Sequence, residues 1–166
     1  MKAVRGRGLT ALELVIVLGI IALLSSLAIQ NILRARMTSN EATATGNLRG
    51  VMLALQMYQS QNNHYPSDWQ REMYADADPP YLSASFNLPM TSSVVQGFRY
   101  TYTYVEGSAE CPTTCSTYTL TANPETTGWV GGRAFFADHN GKIRHCLGTG
   151  PADATDPFVT DPPIAC

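Results

Sequence analysis

The chain has 166 residues, 45% of them hydrophobic and only 14% charged, well below the ~25% charge of a typical soluble domain. Its 11 Lys and Arg against 13 Asp and Glu give a formal net charge of -2, which leaves no footprint for a nucleic-acid binder. The length suffices for one modest domain, and the aromatics and β-formers beyond residue 95 exclude generic disorder.

The apolar residues crowd into the first thirty. Residues 1–8 read MKAVRGRG, with Lys2, Arg5 and Arg7 and no acid, and the following LTALELVIVLGIIALLSSLAIQNIL is nearly unbroken in its apolarity, with Glu13 its one charged residue. As a helix, residues 9–32 would reach about 36 Å, enough to span a hydrocarbon core of about 30 Å with modest tilt. The basic residues predict a cytoplasmic N-terminus with the remainder directed outward. A buried core helix is a poor alternative, because so small a domain cannot readily surround it. An ordinary signal peptide has the same basic start, and Ser26-Leu27-Ala28 would pass for its cleavage site, leaving a soluble secreted binding domain that begins at Ile29. Glu13 argues against it. An acid in such a run costs on the order of 2.5–3.5 kcal/mol at mid-bilayer and calls for a partner, which a discarded segment does not need.

The stretch Gly8-Leu9-Thr10-Ala11-Leu12-Glu13-Leu14-Val15-Ile16-Val17 resembles the class III leader and helix start of type IV pilins and type II secretion pseudopilins. The resemblance rests on a short basic leader, a glycine junction, a glutamate at fixed spacing and a spanning helix. It implies cleavage after Gly8 by a prepilin peptidase and N-methylation of the new amino terminus at Leu9, where family members most often have Phe. It also implies a precursor in the inner membrane, an inner-membrane assembly platform, and polymerisation into a helical homopolymer, with minor pilins as further partners. Glu13 would then pair with the Leu9 amine of a neighbouring subunit as a register device, since a dehydrated carboxylate needs a counter-charge. Leu9, Glu13, Leu14, Ile16, Val17 and Ile20 are the expected assembly residues.

Residues 34–47 are polar, rich in Ala, Thr and Ser, and free of proline. Leu48, Val51, Met52, Leu55 and Tyr58 then recur at i, i+3, i+4, i+7, the pattern of an amphipathic helix packed on a small domain. Many family members have a proline near Gln30; here Gly46 and Gly50 are the candidates for local softening. Asn62-Asn63-His64-Tyr65-Pro66 predicts the helix end, and its Tyr-Pro pair resembles the family's junction. His64 reads as a cap or surface residue. Residues 63–96 read as a connecting loop region with a short helical turn around residues 69–74.

Four strands follow. Phe98, Tyr100, Tyr102 and Tyr104 alternate with Arg99, Thr101 and Thr103, and Tyr118, Leu120 and Ala122 alternate with threonines, both at the period of a half-buried strand. Two further strands over residues 133–136 and 142–146 flank Asp138-His139-Asn140-Gly141, and Asn-Gly signals a hairpin. The pattern from Phe135 to Arg144 resembles the terminal hairpin of some bacterial major pilins. The plain reading of the tyrosine row is cross-strand packing against the helix.

Cys111, Cys115, Cys146 and Cys166 all lie in the part expected outside the cytoplasm, where an even number of cysteines predicts disulfides. Three pairings are possible; Cys111 with Cys115 and Cys146 with Cys166 is favoured, the second pinning a Pro-rich tail. Zinc on Cys111, Cys115, Cys146 and His139 or His145 is a weaker reading. Asp153, Asp156 and Asp161 invite comparison with the calcium held by the related major pseudopilins, but lack EF-hand spacing. No P-loop, nucleophile elbow or His-Glu-x-x-His is present, so neither a cofactor nor a catalytic residue is expected.

The resemblance thus implies an α+β type IV pilin fold: a leader (1–8), an apolar helix (9–33), its amphipathic continuation (34–62), a connecting region (63–96), an antiparallel sheet of about four strands (97–146) and a tail (147–166). The expected function is that of a structural subunit of a type IV pilus on the cell surface, serving adhesion, surface motility or DNA uptake. A pseudopilin of a type II secretion system or a minor pilin is the alternative.

Overall fold

A computed structural model of the protein describes residues 10–90, 93–108, 111–126, 128 and 130–166, without the side chains of residues 27, 93, 106–108 and 111–116. The chain divides into two compact units, Met1–Ala35 and Arg36–Cys166. One helix, α1 (Ala11–Asn62), begins in the first unit and ends in the second; it stays helical through Gly46 and Gly50.

In the second unit α1 is followed by a π-helical turn (Arg71–Ala75), a 3-10 turn (Ala84–Phe86) and a sheet of β1 (Ser93–Val95), β2 (Phe98–Ser108), β3 (Cys111–Pro124), β4 (Arg133–Asp138), β5 (Ile143–Leu147) and β6 (Ile164–Ala165). The strands lie in chain order across the sheet. All neighbours are antiparallel except β5 and β6. This is the α+β class expected from the sequence, with six strands in place of four. The extra pair are the short edge strands. β1 lies in the stretch read as a loop and turns into β2 through Gln96 and Gly97, both at positive φ (51° and 82°). That is hairpin geometry without the Asn-Gly signature, and a Cβ at Gly97 would lie 2.5 Å from Val130 Cγ1. β6 has two residues, too few for any periodicity; the Cys146–Cys166 disulfide holds it beside β5.

The period-2 reading of β2 and β3 fixes the core. Phe98, Tyr100, Tyr102, Tyr118, Leu120 and Ala122 are buried in one cluster with Leu48, Val51, Leu55 and Tyr58 of α1, while Arg99, Thr101 and Thr103 face the wetter side. Burying each such large side chain contributes roughly 1.5–3 kcal/mol. The tyrosine row packs ring against ring. Tyr65 meets Tyr118 edge-on at 4.7 Å, Trp69 lies 5.1 Å from Tyr102, and Phe86 meets Tyr100 edge-on at 5.2 Å. Residues 63–96 are tied down by buried polar groups: Trp69 Nε1 donates to Phe86 O at 2.9 Å, Tyr74 Oη to Ser83 O at 2.9 Å, and Tyr58 Oη to Glu72 Oε2 at 2.9 Å.

An ion pair locks α1 to the sheet. Glu41 is 7% exposed; its Oε1 accepts from Gly132 N–H at 2.7 Å and its Oε2 from Arg133 Nε at 2.8 Å and Nη2 at 2.7 Å. Gly131 lets the chain pass, since a Cβ there would fall 2.8 Å from Phe98 Cζ. Arg133 Nη1 lies 3.5 Å from Nδ1 of buried His145, whose Nε2 lies 3.0 Å from Asp161 O. A neutral His145 protonated on Nε2 satisfies both contacts. The tail is bound further by His145 N–H to Pro157 O, Val159 N–H to Ile143 O, and Arg144 Nη1 to Asp156 O at 2.7 Å.

Tyr102 and Tyr118 separate hydrogen bonding from packing. Tyr102 Oη donates to Pro66 O at 2.7 Å, whereas Tyr118 Oη is buried with no partner among the described residues. Tyr102→Phe should therefore cost about 1–2 kcal/mol, and Tyr118→Phe should be neutral or slightly stabilising. Denaturant unfolding of the two variants in detergent checks the order; equal losses would contradict it. Burial also raises the pKa of Tyr58, Tyr65, Tyr102 and Tyr118, and pushes Tyr74 and Tyr100 up to about 12. At Tyr58 the bond to Glu72 adds to burial. Above pH ~10 the unfolded tyrosines lose protons that the folded ones keep, so stability is full below pH ~10 and falls as pH rises toward the folded values. In an alkaline titration, tyrosinate absorbance from these residues should appear together with loss of the circular dichroism signal; its appearance well before unfolding would count against the burial.

Candidate functional site

In the first unit the helix is apolar on every side. The described large apolar side chains from Leu12 to Ile32 are exposed, from 48% at Val17 to 72% at Leu23. The helix is long and apolar enough to cross a membrane by length and composition. The expected assembly residues Leu14, Ile16, Val17 and Ile20 all stand on this surface.

The helix begins with a reciprocal cap. Thr10 N–H and Thr10 Oγ1 both donate to Glu13 Oε2, at 2.8 and 2.9 Å, and Glu13 N–H donates to Thr10 Oγ1 at 3.2 Å. This is a capping box, which satisfies the orphan donors of the first turn. The expected role of Glu13 as a register device does not include this cap, which Thr10-Ala11-Leu12-Glu13 signals as Thr-x-x-Glu. The cap keeps the carboxylate beside the helix N-terminus, where the helix dipole also favours an anion. A carboxylate has about four acceptor positions, so the two bonds to Thr10 leave capacity for an ammonium donor. Gly8 and Leu9 lie outside the described residues.

Elsewhere the sequence-derived sites are placed as follows. Cys146 and Cys166 form a disulfide that closes a loop across 20 positions; such a loop constrains the unfolded chain by roughly 3 kcal/mol. The side chains of Cys111 and Cys115 lie outside the described residues. Cys146 is therefore no zinc ligand. Asp153 and Asp156 are hydrogen-bonded within the tail. Asp153 Oδ1 accepts from Thr155 N–H and Oγ1 at 2.7 and 2.6 Å, and these bonds hold its carboxyl below its ordinary range. Asp156 is buried and its Oδ2 accepts from Asp153 N–H at 2.7 Å. The Asp156 carbonyl accepts from Arg144 Nη1 at 2.7 Å. Among the described residues no three His, Cys, Asp or Glu side chains converge to hold a metal. His64 Nδ1 lies 2.9 Å from Tyr65 O, past the end of α1, and its ring meets Tyr58 edge-on at 5.6 Å.

Comparison with known proteins agrees with this architecture. The chain is 40% identical over 62 residues to the type IV wide pilus major component PilA4 of Thermus thermophilus, covering 37% of this chain and 47% of that protein. It is 34% identical over 83 residues to type II secretion system core protein G of Escherichia coli, covering 49% and 57%. It is 35% identical over 66 residues to the core protein G of Pectobacterium carotovorum, covering 40% and 42%. The matches thus span about half the length of these relatives. No family model matches the chain, and no solved structure does. Over those spans the chain is similar to members of both branches of the type IV pilin and pseudopilin family, in keeping with its long apolar N-terminal helix and a second helical part packed on a mostly antiparallel sheet.

Proposed function

We propose that the protein is a structural subunit of a type IV pilus, not an enzyme. It is made as an inner-membrane precursor, cleaved after Gly8, methylated at Leu9, and polymerised through its N-terminal helix into a surface filament. The observation that carries this reading is the helix of residues 12–32, apolar on all sides and exposed, with a capped carboxylate at its head. Such a surface is compatible with lipid before assembly and with other apolar helices afterwards. In the filament Glu13 meets the Leu9 amine of a neighbour, and Leu14, Ile16, Val17 and Ile20 pack between subunits. Prepilin peptidase, the assembly platform and minor pilins are the partners of that route. Adhesion, surface motility and DNA uptake are the roles open to such a filament.

A second reading, a pseudopilin of a type II secretion system, draws on the two relatives named core protein G.

Glu13 gives the test. Glu13→Ala should leave the precursor in the membrane and cleaved, yet lower the sheared-filament yield at least about tenfold, since a buried counter-charge is lost. Thr10→Ala should lower it less, because it removes the cap and leaves the charge. Normal filament yield from Glu13→Ala would overturn the register role. A chain found only in the membrane or the medium, never in sheared filaments, would overturn the pilus reading.

A further inference from the structure

The surface of the second unit carries two depressions of opposite character. The first, about 360 Å³, is lined by Arg49 of α1, Lys142, Ile143, Phe158 and Val159 and by no acid. Lys142 Nζ stands 5.1 Å from the Phe158 ring centre and Arg144 lies on the same ring at 4.3 Å. Arg144 is engaged by Asp156 O. Among the described residues no carboxylate forms an ion pair with Arg49 or Lys142, and both are exposed. The result is an apolar floor between two cations.

The second depression, about 390 Å³, is lined by Met57, Gln61, Asp76, Asp78, Pro80 and Tyr81 and by no cation. Asp78 forms no ion pair among the described residues, and Asp76 meets only Arg71, with both side chains more than half exposed. The segment is firmly seated. Tyr81 N–H donates to Met73 O at 3.2 Å, Tyr81 Oη donates to Gln61 Oε1, and two prolines follow Asp78. A held, proline-stiffened ledge loses little freedom on docking.

We propose that the groove of Arg49, Lys142 and Phe158 receives the acidic 76–81 ledge of a second copy of this chain. The two surfaces are complementary in charge and different in identity, so the contact is heterologous; it repeats from copy to copy and generates an open string instead of a closed dimer. The inference rests on the filament reading and deepens it. The apolar helices supply adhesion, and this polar contact supplies register between the globular parts, as rim charges do at other interfaces.

A charge swap in the full-length chain tests it. Lys142→Glu alone and Asp78→Lys alone should each lower the sheared-filament yield about five- to tenfold at physiological salt, with the cleaved subunit still in the membrane. The double variant should recover most of the yield. Singles that assemble like the wild type, or a double no better than the worse single, would overturn the proposal. If the wild type forms no filaments, the filament reading fails and the contact is read alone, by sedimentation of detergent-solubilised full-length protein. There each single variant should be monomeric and an equimolar mixture of the two should associate in a salt-sensitive way; no association in the mixture overturns the proposal. A DNA oligomer bound by the wild type and lost with Lys142→Glu, without rescue by the swap, would identify the groove as a site for anionic polymers instead.

Discussion

The constraint on which everything else depends is the exposed apolar helical surface of the first unit. Among the described side chains of residues 12–32, large aliphatic groups stand exposed in every direction. At roughly 25 cal/mol per Å² of apolar area, water is a poor environment for such a surface. Lipid or like helices must cover it. A single acid at the head of the helix gives that surface a direction. The capping box of Thr10 and Glu13 satisfies the first-turn donors and holds the carboxylate at that end.

The globular part solves a different problem, that of fixing a short stretch of helix on a small sheet. Leu48, Val51 and Leu55 supply the apolar seam, and the tyrosines of β2 and β3 fill the space between helix and sheet. Glu41 and Arg133 then set the register of that packing, since a buried carboxylate held by a guanidinium and a backbone N–H fits only one position along the sheet. His145 continues the network into the tail, and the Cys146–Cys166 disulfide closes it. The tail is therefore an ordered wall of the domain, which is what makes its Phe158 usable as a groove floor.

Much of this was legible in the sequence, for identifiable reasons. The apolar run, the i, i+3, i+4 seam of Leu48 to Tyr58 and the alternation of Phe98 to Tyr104 are long periodic signals, and each maps onto an element of the structure. The Glu41–Arg133 pair was not legible, because its partners are 92 positions apart and sequence alone does not report such contacts. β1 and β6 were missed because three and two residues are too short for periodicity, and because Gln96-Gly97 is an unusual hairpin turn. The cap is legible in the sequence, since Thr10-Ala11-Leu12-Glu13 carries the Thr-x-x-Glu signature of a capping box. The Arg49 groove and the Asp78 ledge are each assembled from separate segments of the chain, so neither shows in the sequence.

The most direct measurement is the amino-terminal residue of the main subunit in filaments sheared from the source cells, read by mass spectrometry of the N-terminal peptide. A peptide starting at Leu9, heavier than its sequence by one methyl of about 14 Da, is the predicted result, and it would join cleavage, methylation and assembly in one observation. A chain released to the medium and starting at Ile29, with no filament-associated form, would contradict it.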